Sequence, residues 1–253
     1  MIPISENQNE ILRTERIKHR RIAFATAISV AFLPLLIWAL FYFGAIPNNP
    51  SFDSDIQEPV AKVVTKSGTG TAFLISPKML LTARHVVEGM AVGEEVELFF
   101  EHSQNQMQVK AKIKYITPTD KKIVNGQVET DYFLTDMAVL EVSEINDIAP
   151  LILGESSVVA NLDEVILIGY PNGDYSITKG NINSQKYHDA DLFKLDATSN
   201  PGNSGGPCIL KNDNTVIGIL VGGSTIAKQG ENIALKIDNV KSILDKAGIN
   251  HYA

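Results

Sequence analysis

From residue 60 onward, apolar residues come in short runs that are separated by turn-forming residues. The runs are rich in Val, Ile, Phe and Tyr, which are the residues that favour β-strands. We expect strands at AKVVT, GTAFLI, KMLLTA, VELFF, VKAKIKYI, MAVLEV, EVILIG, DYSITKGNI, LFKLDA, PCIL, VIGILVGG and NIALKI. Short strands repeated in this way indicate an all-β barrel or sandwich, and the pattern alone leaves that choice open.

The last part of the chain changes from the strand pattern to a helical one. Its apolar residues fall three or four positions apart, at Ile237, Val240, Ile243, Leu244 and Ala247. Asp238 fits a cap at the start of such a helix, and Gly248 fits its end. The sequence therefore predicts a C-terminal helix that follows the last strand.

Residues 22–46 contain no charged side chain. About 20 apolar residues in a helix cross a bilayer core of roughly 30 Å. Residues 1–21 carry a net positive charge, and acidic residues follow the apolar run. Because basic residues favour the cytoplasmic side, we expect a signal anchor in the cytoplasmic membrane, with residues 1–21 inside. A cleaved signal peptide is the alternative, although its apolar region is usually shorter.

The residues after the apolar run divide into a linker and a folded domain. Residues 47–59 are mostly polar and include three prolines, which is typical of a linker. Residues 60–253 would then form one domain on the periplasmic, extracytoplasmic side of the membrane. The bilayer is accordingly a predicted partner, through residues 22–46, and the oligomeric state is left open.

Charge and cysteine content exclude several classes of protein. The 253 residues include 22 Lys and Arg against 29 Asp and Glu, a net charge of −7. A nucleic-acid binder of the generic basic type would need a cationic face, so no nucleic acid is expected as a partner. The single cysteine, Cys208, excludes an intrachain disulfide, and with five scattered histidines it gives no metal cluster.

The most specific motif is the segment 200–207, with the sequence NPGNSGGP. A serine between glycines on a tight turn can expose its hydroxyl, as Ser204 would. The backbone N–H groups of Gly202 and Ser204 can then point to one side, where they would stabilise an oxyanion. An ordinary Gly- and Pro-rich hairpin loop is the alternative interpretation.

Two further segments carry groups that could act with this serine. His85 follows two apolar strands, GTAFLI and the run that ends in LTARH, which would hold the imidazole rigidly. Asp136 opens the apolar strand MAVL, a position that an aspartate also occupies as a plain strand-start residue. Asp131, five residues earlier, competes with Asp136 for the role of an acidic partner.

The segments LTARHVV, TDMAVL and GNSGGP together resemble the trypsin-like, chymotrypsin-fold serine peptidases. The similarity is greatest to the bacterial Deg/HtrA branch and covers about residues 60–247. It implies a double six-stranded β-barrel, with the site in the cleft between the barrels and with polypeptides as substrates. His85 would be the general base, Asp136 its orienting partner and Ser204 the nucleophile, and this chemistry implies no cofactor.

The same resemblance implies an oxyanion hole and a specificity pocket. The backbone of Gly202, Asn203 and Ser204 matches the oxyanion hole, with Asn203 between the two donors. The apolar strand VIGILVG, residues 216–222, would line one wall of the S1 pocket. Its residues Ile219, Leu220 and Val221 favour a small or medium aliphatic P1 residue over a charged one.

Two departures from the family limit what is carried over. Digestive relatives have an aspartate directly before the serine, where it pairs with a new N-terminus, whereas this chain has Asn203. Activation by N-terminal cleavage is therefore not expected. Deg-type relatives carry PDZ domains after the protease, and with Ala253 as the last residue we expect none here.

Two other functions fit parts of the sequence. The segment GNSGG also satisfies the G-x-S-x-G nucleophile elbow, but that motif needs a helix after the serine, with the acid and histidine later in the chain. Here the next residues, PCIL, indicate a strand, so an α/β-hydrolase is disfavoured. A catalytically silent module on the protease fold that binds peptides at the membrane surface remains the alternative.

Overall fold

The computed structural model describes residues 54–118, 123–125, 127–128, 130–222 and 231–251. The predicted cytoplasmic segment 1–21, the predicted anchor 22–46 and all of the predicted linker before residue 54 lie outside these residues. Within the described ranges, no helix combines the length and the apolar character that a membrane span requires. The anchor therefore stays a prediction.

Each of the twelve predicted runs forms a strand, which confirms the prediction of an all-β domain. Two further strands of two residues each, Ile123–Val124 and Gln127–Val128, were not predicted, because two residues are too few to show a period. The strands are β1 Val60–Thr65, β2 Gly68–Ser76, β3 Met79–Thr82, β4 Glu95–Phe100, β5 Met107–Ile116, β6 Ile123–Val124, β7 Gln127–Val128, β8 Ala138–Glu141, β9 Glu164–Gly169, β10 Ser176–Ser184, β11 Leu192–Leu195, β12 Pro207–Leu210, β13 Val216–Gly222 and β14 Asn232–Lys236.

These strands close into two six-stranded barrels. The first barrel has the order β1-β2-β3-β8-β5-β4, and the second has the order β10-β11-β14-β13-β12-β9. β6 and β7 pair with each other in a separate small sheet. Closure gives every strand of a barrel two neighbours, which removes unpaired edges. The double six-stranded barrel implied by the family resemblance is confirmed.

Each barrel has an interior of apolar side chains from its strands. In the first barrel, Phe73, Leu81 and Leu98 are completely buried. In the second, one cluster joins side chains of all six strands with two residues outside them, Val159 and Ala197: Val159, Val165, Leu167, Ile182, Phe193, Leu195, Ala197, Cys208, Leu210, Ile217, Leu220 and Ala234. Burial of this apolar surface stabilises each barrel by roughly 25 cal/mol per Å².

In the part of the chain that the structure describes, two α-helices flank the strands: α1 Ser54–Gln57 and α2 Ile237–Lys246. Gly248, with φ +68°, ends α2, because the N–H groups of Gly248 and Ile249 bond back to the carbonyls of Asp245 and Leu244. This arrangement satisfies the last carbonyls of the helix. The predicted C-terminal helix and its terminating glycine are confirmed.

The prediction that Asp238 caps this helix was wrong. The helix begins at Ile237, which puts Asp238 inside the first turn. Its carboxylate accepts hydrogen bonds from the amides of Ser156 and Ser157, at 3.1 and 2.9 Å. Asp238 therefore joins the helix to the segment before β9, a contact between distant residues that no local pattern could reveal.

Candidate active site

The pairing of β3 with β8 brings His85 and Asp136 to the same end of the first barrel. The two strands run antiparallel, with Thr82 opposite Ala138. His85 lies in a 3₁₀ helix, Arg84–Val87, just after β3 ends. Asp136 lies two residues before β8 begins, so both side chains leave the sheet at this point.

The Asp136 carboxylate contacts His85 with both of its oxygens. Oδ2 lies 2.6 Å from the ring Nδ1, and Oδ1 accepts a hydrogen bond of 3.0 Å from the His85 backbone N–H. Asp136 is completely buried, whereas 28% of the His85 side chain is exposed. A carboxylate accepts but does not donate, so it favours the tautomer with the proton on Nδ1 and leaves Nε2 as the acceptor.

The competing acidic residue, Asp131, has no described side chain. Its backbone lies in the 3₁₀ helix Thr130–Thr135, directly before Asp136. The described contact with His85 belongs to Asp136.

A buried threonine holds the backbone on both sides of Asp136. The Thr117 hydroxyl donates to the carbonyl of Met137 at 2.8 Å and also contacts the carbonyl of Thr135. Thr117 is 3% exposed, so water does not compete with these bonds. The hydroxyl thereby fixes the short segment that carries the carboxylate.

Tyr132 and Arg84 form a cation–π pair beside this site. The guanidinium carbon of Arg84 lies 4.3 Å from the centre of the Tyr132 ring. Burial, and after it the charge of Asp136, raises the pKa of Tyr132 to about 12. The phenol therefore stays protonated near neutral pH and does not compete with His85 as a base.

Ser204 lies on a tight turn of the second barrel, between β11 and β12. Residues 200–206 form this serine turn. Gly202 and Gly205, on either side of it, have φ values of +105° and +86°, which only glycine adopts without strain. Ser204 itself is half-buried. The Gly- and Pro-rich segment therefore forms the tight turn that its sequence predicted.

This turn packs directly on the end of the strand that leads to His85. A Cβ at Gly205 would lie 2.1 Å from the carbonyl oxygen of Thr71 and 2.8 Å from the amide nitrogen of Ala83. Ala83 is two residues before His85. The absence of a side chain at Gly205 thus lets the serine turn approach the histidine segment across the barrel interface.

The backbone N–H of Gly202 is oriented by a bond to the neighbouring carbonyl. In a trans peptide the N–H points away from the C=O of the same peptide unit. The Pro201 carbonyl accepts a hydrogen bond of 2.8 Å from the N–H of Asn172. The N–H of Gly202 therefore points to the opposite side of the turn.

The backbone N–H of Ser204 is oriented in the same manner. The Asn203 carbonyl accepts a hydrogen bond of 3.0 Å from the N–H of Gly206, which directs the Ser204 N–H away from it. The N–H of Asn203 itself donates to the carbonyl of Asn200 at 3.0 Å. Asn203 thus lies between the two candidate donors with its own amide engaged inside the turn.

The predicted S1 residues lie on β13 and are all buried, at 0% exposure for Ile219, 2% for Leu220 and 1% for Val221. Leu220 packs in the core cluster of the second barrel. Its backbone also supports the serine turn, with bonds of 2.8 Å from Gly205 N–H and 2.9 Å to the Gly206 carbonyl. This segment therefore holds the turn, and its role in substrate selection stays a prediction.

Three residues that support the site were not found from the sequence. They are Thr71 and Thr117, whose hydroxyls bond to the turn or loop of a candidate catalytic residue, and Asn172, which acts through its backbone N–H. Threonine is common in strands, so neither threonine carries a local signal of this role.

Among the described residues, no three His, Cys, Asp or Glu side chains are grouped as metal ligands.

Comparison with known proteins gives the family. Residues 70–219 match the family model of the trypsin-like peptidase domain. Magnetosome formation protease MamE of Magnetospirillum gryphiswaldense is 36% identical over 182 residues, which cover 68% of this chain and 21% of that protein. Putative serine protease HhoA of Synechocystis sp. is 30% identical over 189 residues, which cover 70% of this chain and 42% of that protein.

This chain therefore matches less than half the length of these curated relatives. Among solved structures, the HtrA-type protease AlgW with a tripeptide superposes with a TM-score of 0.62 at 24% identity, over 79% of this chain and 65% of that chain. The Rv3671c protease in its inactive form superposes with a TM-score of 0.58 at 25% identity, over 81% of this chain and 95% of that chain. The family model covers more than half of the sequence, and the chain thus belongs to the trypsin-like peptidase family, among relatives of the Deg/HtrA type.

Proposed function

We propose that this chain is a membrane-anchored serine endopeptidase that hydrolyses peptide bonds of polypeptides through His85, Asp136 and Ser204. The observation that carries the proposal is the 2.6 Å contact between the buried Asp136 carboxylate and Nδ1 of His85. Family membership and the packing of the serine turn on the histidine segment support it further.

The first half of the reaction forms an acyl-enzyme. The Ser204 Oγ attacks the carbonyl carbon of the substrate, and its proton passes to Nε2 of His85. Asp136 keeps the imidazole in the required tautomer and stabilises the imidazolium. The N–H groups of Gly202 and Ser204 face the oxyanion, and loss of one such donor typically raises the barrier by about 2.7–4 kcal/mol.

Collapse of the tetrahedral intermediate completes the acyl-enzyme, and hydrolysis of that ester then restores the enzyme. When the tetrahedral intermediate collapses, the C–N bond breaks and His85 gives its proton to the departing amine. A water molecule then attacks the acyl carbon, and His85 takes the proton of that water. Cleavage of the ester bond returns the proton to the Ser204 oxygen.

The test of the catalytic proposal is covalent labelling of the full chain in a mild detergent with a fluorophosphonate probe. We expect one adduct on wild type, located at Ser204 by peptide mass spectrometry, and no adduct on Ser204→Ala. Ser157→Ala, which changes an exposed serine, should label like wild type. A wild type that is folded by circular dichroism but not labelled would contradict the proposal and favour a peptide-binding module without activity.

We also propose that residues 22–46 anchor the protease domain at the outer face of the cytoplasmic membrane. The absence of charge over 22–46 and the basic residues before it support this orientation. The chain should resist extraction from membranes by alkaline carbonate, and its domain should be digested only by protease added on the outer side. A mature chain that begins near residue 46 and extracts freely would show a cleaved signal peptide instead.

For the S1 pocket we propose a preference for small or medium aliphatic P1 residues, which the apolar character of Ile219 and Val221 supports. Fluorogenic peptides that differ only at P1 would test this. We expect a higher kcat/KM for Ala or Val than for Lys or Arg. A preference for the charged residues would contradict the assignment.

A further inference from the structure

We propose that Thr71, a residue of the first barrel, is a positioning residue for the serine turn of the second barrel. Its hydroxyl donates to the carbonyl of Gly202 at 2.8 Å, and its backbone N–H donates to the carbonyl of Ser204 at 2.9 Å. Thr71 is completely buried. The inference rests on the proposed function, in which Ser204 is the nucleophile.

These two bonds fix the turn on both sides of the nucleophile. Because a peptide unit is planar, holding its carbonyl oxygen sets the orientation of the whole unit. The bond to Gly202 fixes the unit before Asn203, and the bond to Ser204 fixes the unit that follows the nucleophile. The unit between Asn203 and Ser204 is held by the bond from the Gly206 N–H to the Asn203 carbonyl. Together these bonds restrict the backbone torsions of Ser204, from which the direction of its side chain follows.

The Thr71 hydroxyl also contacts the segment that orients the Gly202 amide. It accepts a hydrogen bond of 3.1 Å from the N–H of Tyr170. Two residues later, Asn172 makes the bond to Pro201 that directs the Gly202 N–H. One hydroxyl thus uses both its donor and its acceptor capacity, and it joins the serine turn to the turn that supports it.

The position of Thr71 is itself determined by its surroundings. The Thr82 hydroxyl donates to the Thr71 carbonyl at 2.7 Å. A Cβ at Gly169 would lie 2.9 Å from the Thr71 hydroxyl oxygen, and a Cβ at Gly206 would lie 3.4 Å from its methyl carbon. The close approach of Thr71 to Gly169 and Gly206 therefore depends on the absence of a side chain at both glycines.

Removal of the hydroxyl should leave two buried polar groups, the Tyr170 N–H and the Gly202 carbonyl, without this partner. The turn would then adopt other peptide orientations, in which the oxyanion donors no longer converge. Misalignment of that kind impairs the transition state more than substrate binding. We therefore expect the rate of the chemical step to fall while affinity for the substrate is kept.

The experiment compares Thr71→Val, which is nearly isosteric but lacks the hydroxyl, with Thr71→Ser, which keeps it, in the full chain in detergent. Thr69→Val is the matched control, because Thr69 lies on the same strand and is exposed. For Thr71→Val we expect kcat and the rate of fluorophosphonate labelling to fall by about 10²–10³, the size of the loss of one oxyanion donor. KM should stay within threefold, Thr71→Ser should recover at least a third of wild-type kcat, and Thr69→Val should match wild type.

A second measurement separates positioning from general loss of structure. The proton on Nδ1 of His85, hydrogen-bonded to Asp136, should give a downfield NMR signal that persists in Thr71→Val. If Thr71→Val does not fold, Thr71→Ala, which leaves room for relaxation, is judged by the same criteria. A loss of this signal together with activity would overturn the positioning role in favour of a structural one.

The remaining outcomes distinguish this inference from the proposed function. A labelled wild type with Thr71→Val within threefold of it would overturn the Thr71 inference and leave the peptidase intact. Failure of Thr71→Ser to recover activity would also overturn it. A folded wild type that is never labelled would overturn both, because no nucleophile would then exist to be positioned.

Discussion

Asp136 contacts His85 at two points, the ring Nδ1 at 2.6 Å and the backbone N–H at 3.0 Å. The backbone bond fixes where the histidine lies, and the ring bond fixes how the imidazole is turned. The carboxylate is completely buried, and the Thr117 hydroxyl holds the backbone next to it by a hydrogen bond to the Met137 carbonyl. The geometry of the candidate base therefore depends on this one side chain.

Asp136→Asn should leave the fold intact and lower kcat by about 10⁴. The amide oxygen of asparagine can still accept a bond, but its NH₂ group can donate to Nδ1 and stabilise the wrong tautomer. Peptide hydrolysis at neutral pH measures the loss, and circular dichroism checks the fold. Asp147→Asn, in an exposed loop, is the control and should keep wild-type activity. Activity of Asp136→Asn within tenfold of wild type would contradict the assigned role.

Gly205→Ala should destabilise the domain far more than Gly89→Ala, although both glycines have similar positive φ values, +86° and +80°. An alanine costs about 1–2 kcal/mol in that backbone region. A Cβ at Gly89 meets nothing within 4 Å, whereas at Gly205 it would lie 2.1 Å from the Thr71 carbonyl. We expect this overlap to lower the free energy of unfolding of Gly205→Ala by a further 1–3 kcal/mol, roughly, as measured by urea unfolding. Equal effects of the two changes would show that the serine turn is not tightly packed.

Asp191→Asn should reduce stability at neutral pH and have little effect in strong acid. The hydrogen bond from Lys236, at 2.6 Å, is the main cause that lowers the pKa of Asp191 below its ordinary value. A lowered folded-state pKa means that the stabilisation is present above the ordinary carboxyl pKa and is lost as pH falls through the folded value. Melting temperatures of wild type and Asp191→Asn, measured between pH 2 and 7, should differ at neutral pH and converge in acid. A difference that is the same at every pH would contradict this prediction.

Cys208 should be unreactive in the native protein. The side chain is completely buried in β12, and burial raises the pKa of its thiol to about 12. Because the thiolate is the reactive form, a thiol-specific disulfide reagent at pH 8 should modify it only when the domain unfolds. Absorbance during a urea titration should therefore follow unfolding measured by circular dichroism. Rapid stoichiometric reaction without denaturant would contradict this.

The strands and the terminal helix could be predicted because each depends on a local pattern. A run such as EVILIG has the residue types of a buried strand, and it forms β9. The serine turn was equally readable, since the glycines at 202 and 205 occupy backbone regions that other residues avoid. By contrast, the sequence could not choose between Asp131 and Asp136. That choice depends on which carboxylate contacts His85, and His85 lies 51 positions before Asp136 in the sequence.

What the sequence determined by itself was the kind of fold, the three segments that carry the chemistry and their family, because residue type and short spacing encode these directly. Only the tertiary structure decided how the parts hold one another. Thr71 bonds to Gly202 across 131 positions, and Asn172 directs the Gly202 amide from another turn. The first contact arises because two closed barrels pack together, and the second joins two turns of the second barrel. A threonine in a strand looks the same in the sequence whether or not its hydroxyl supports a nucleophile.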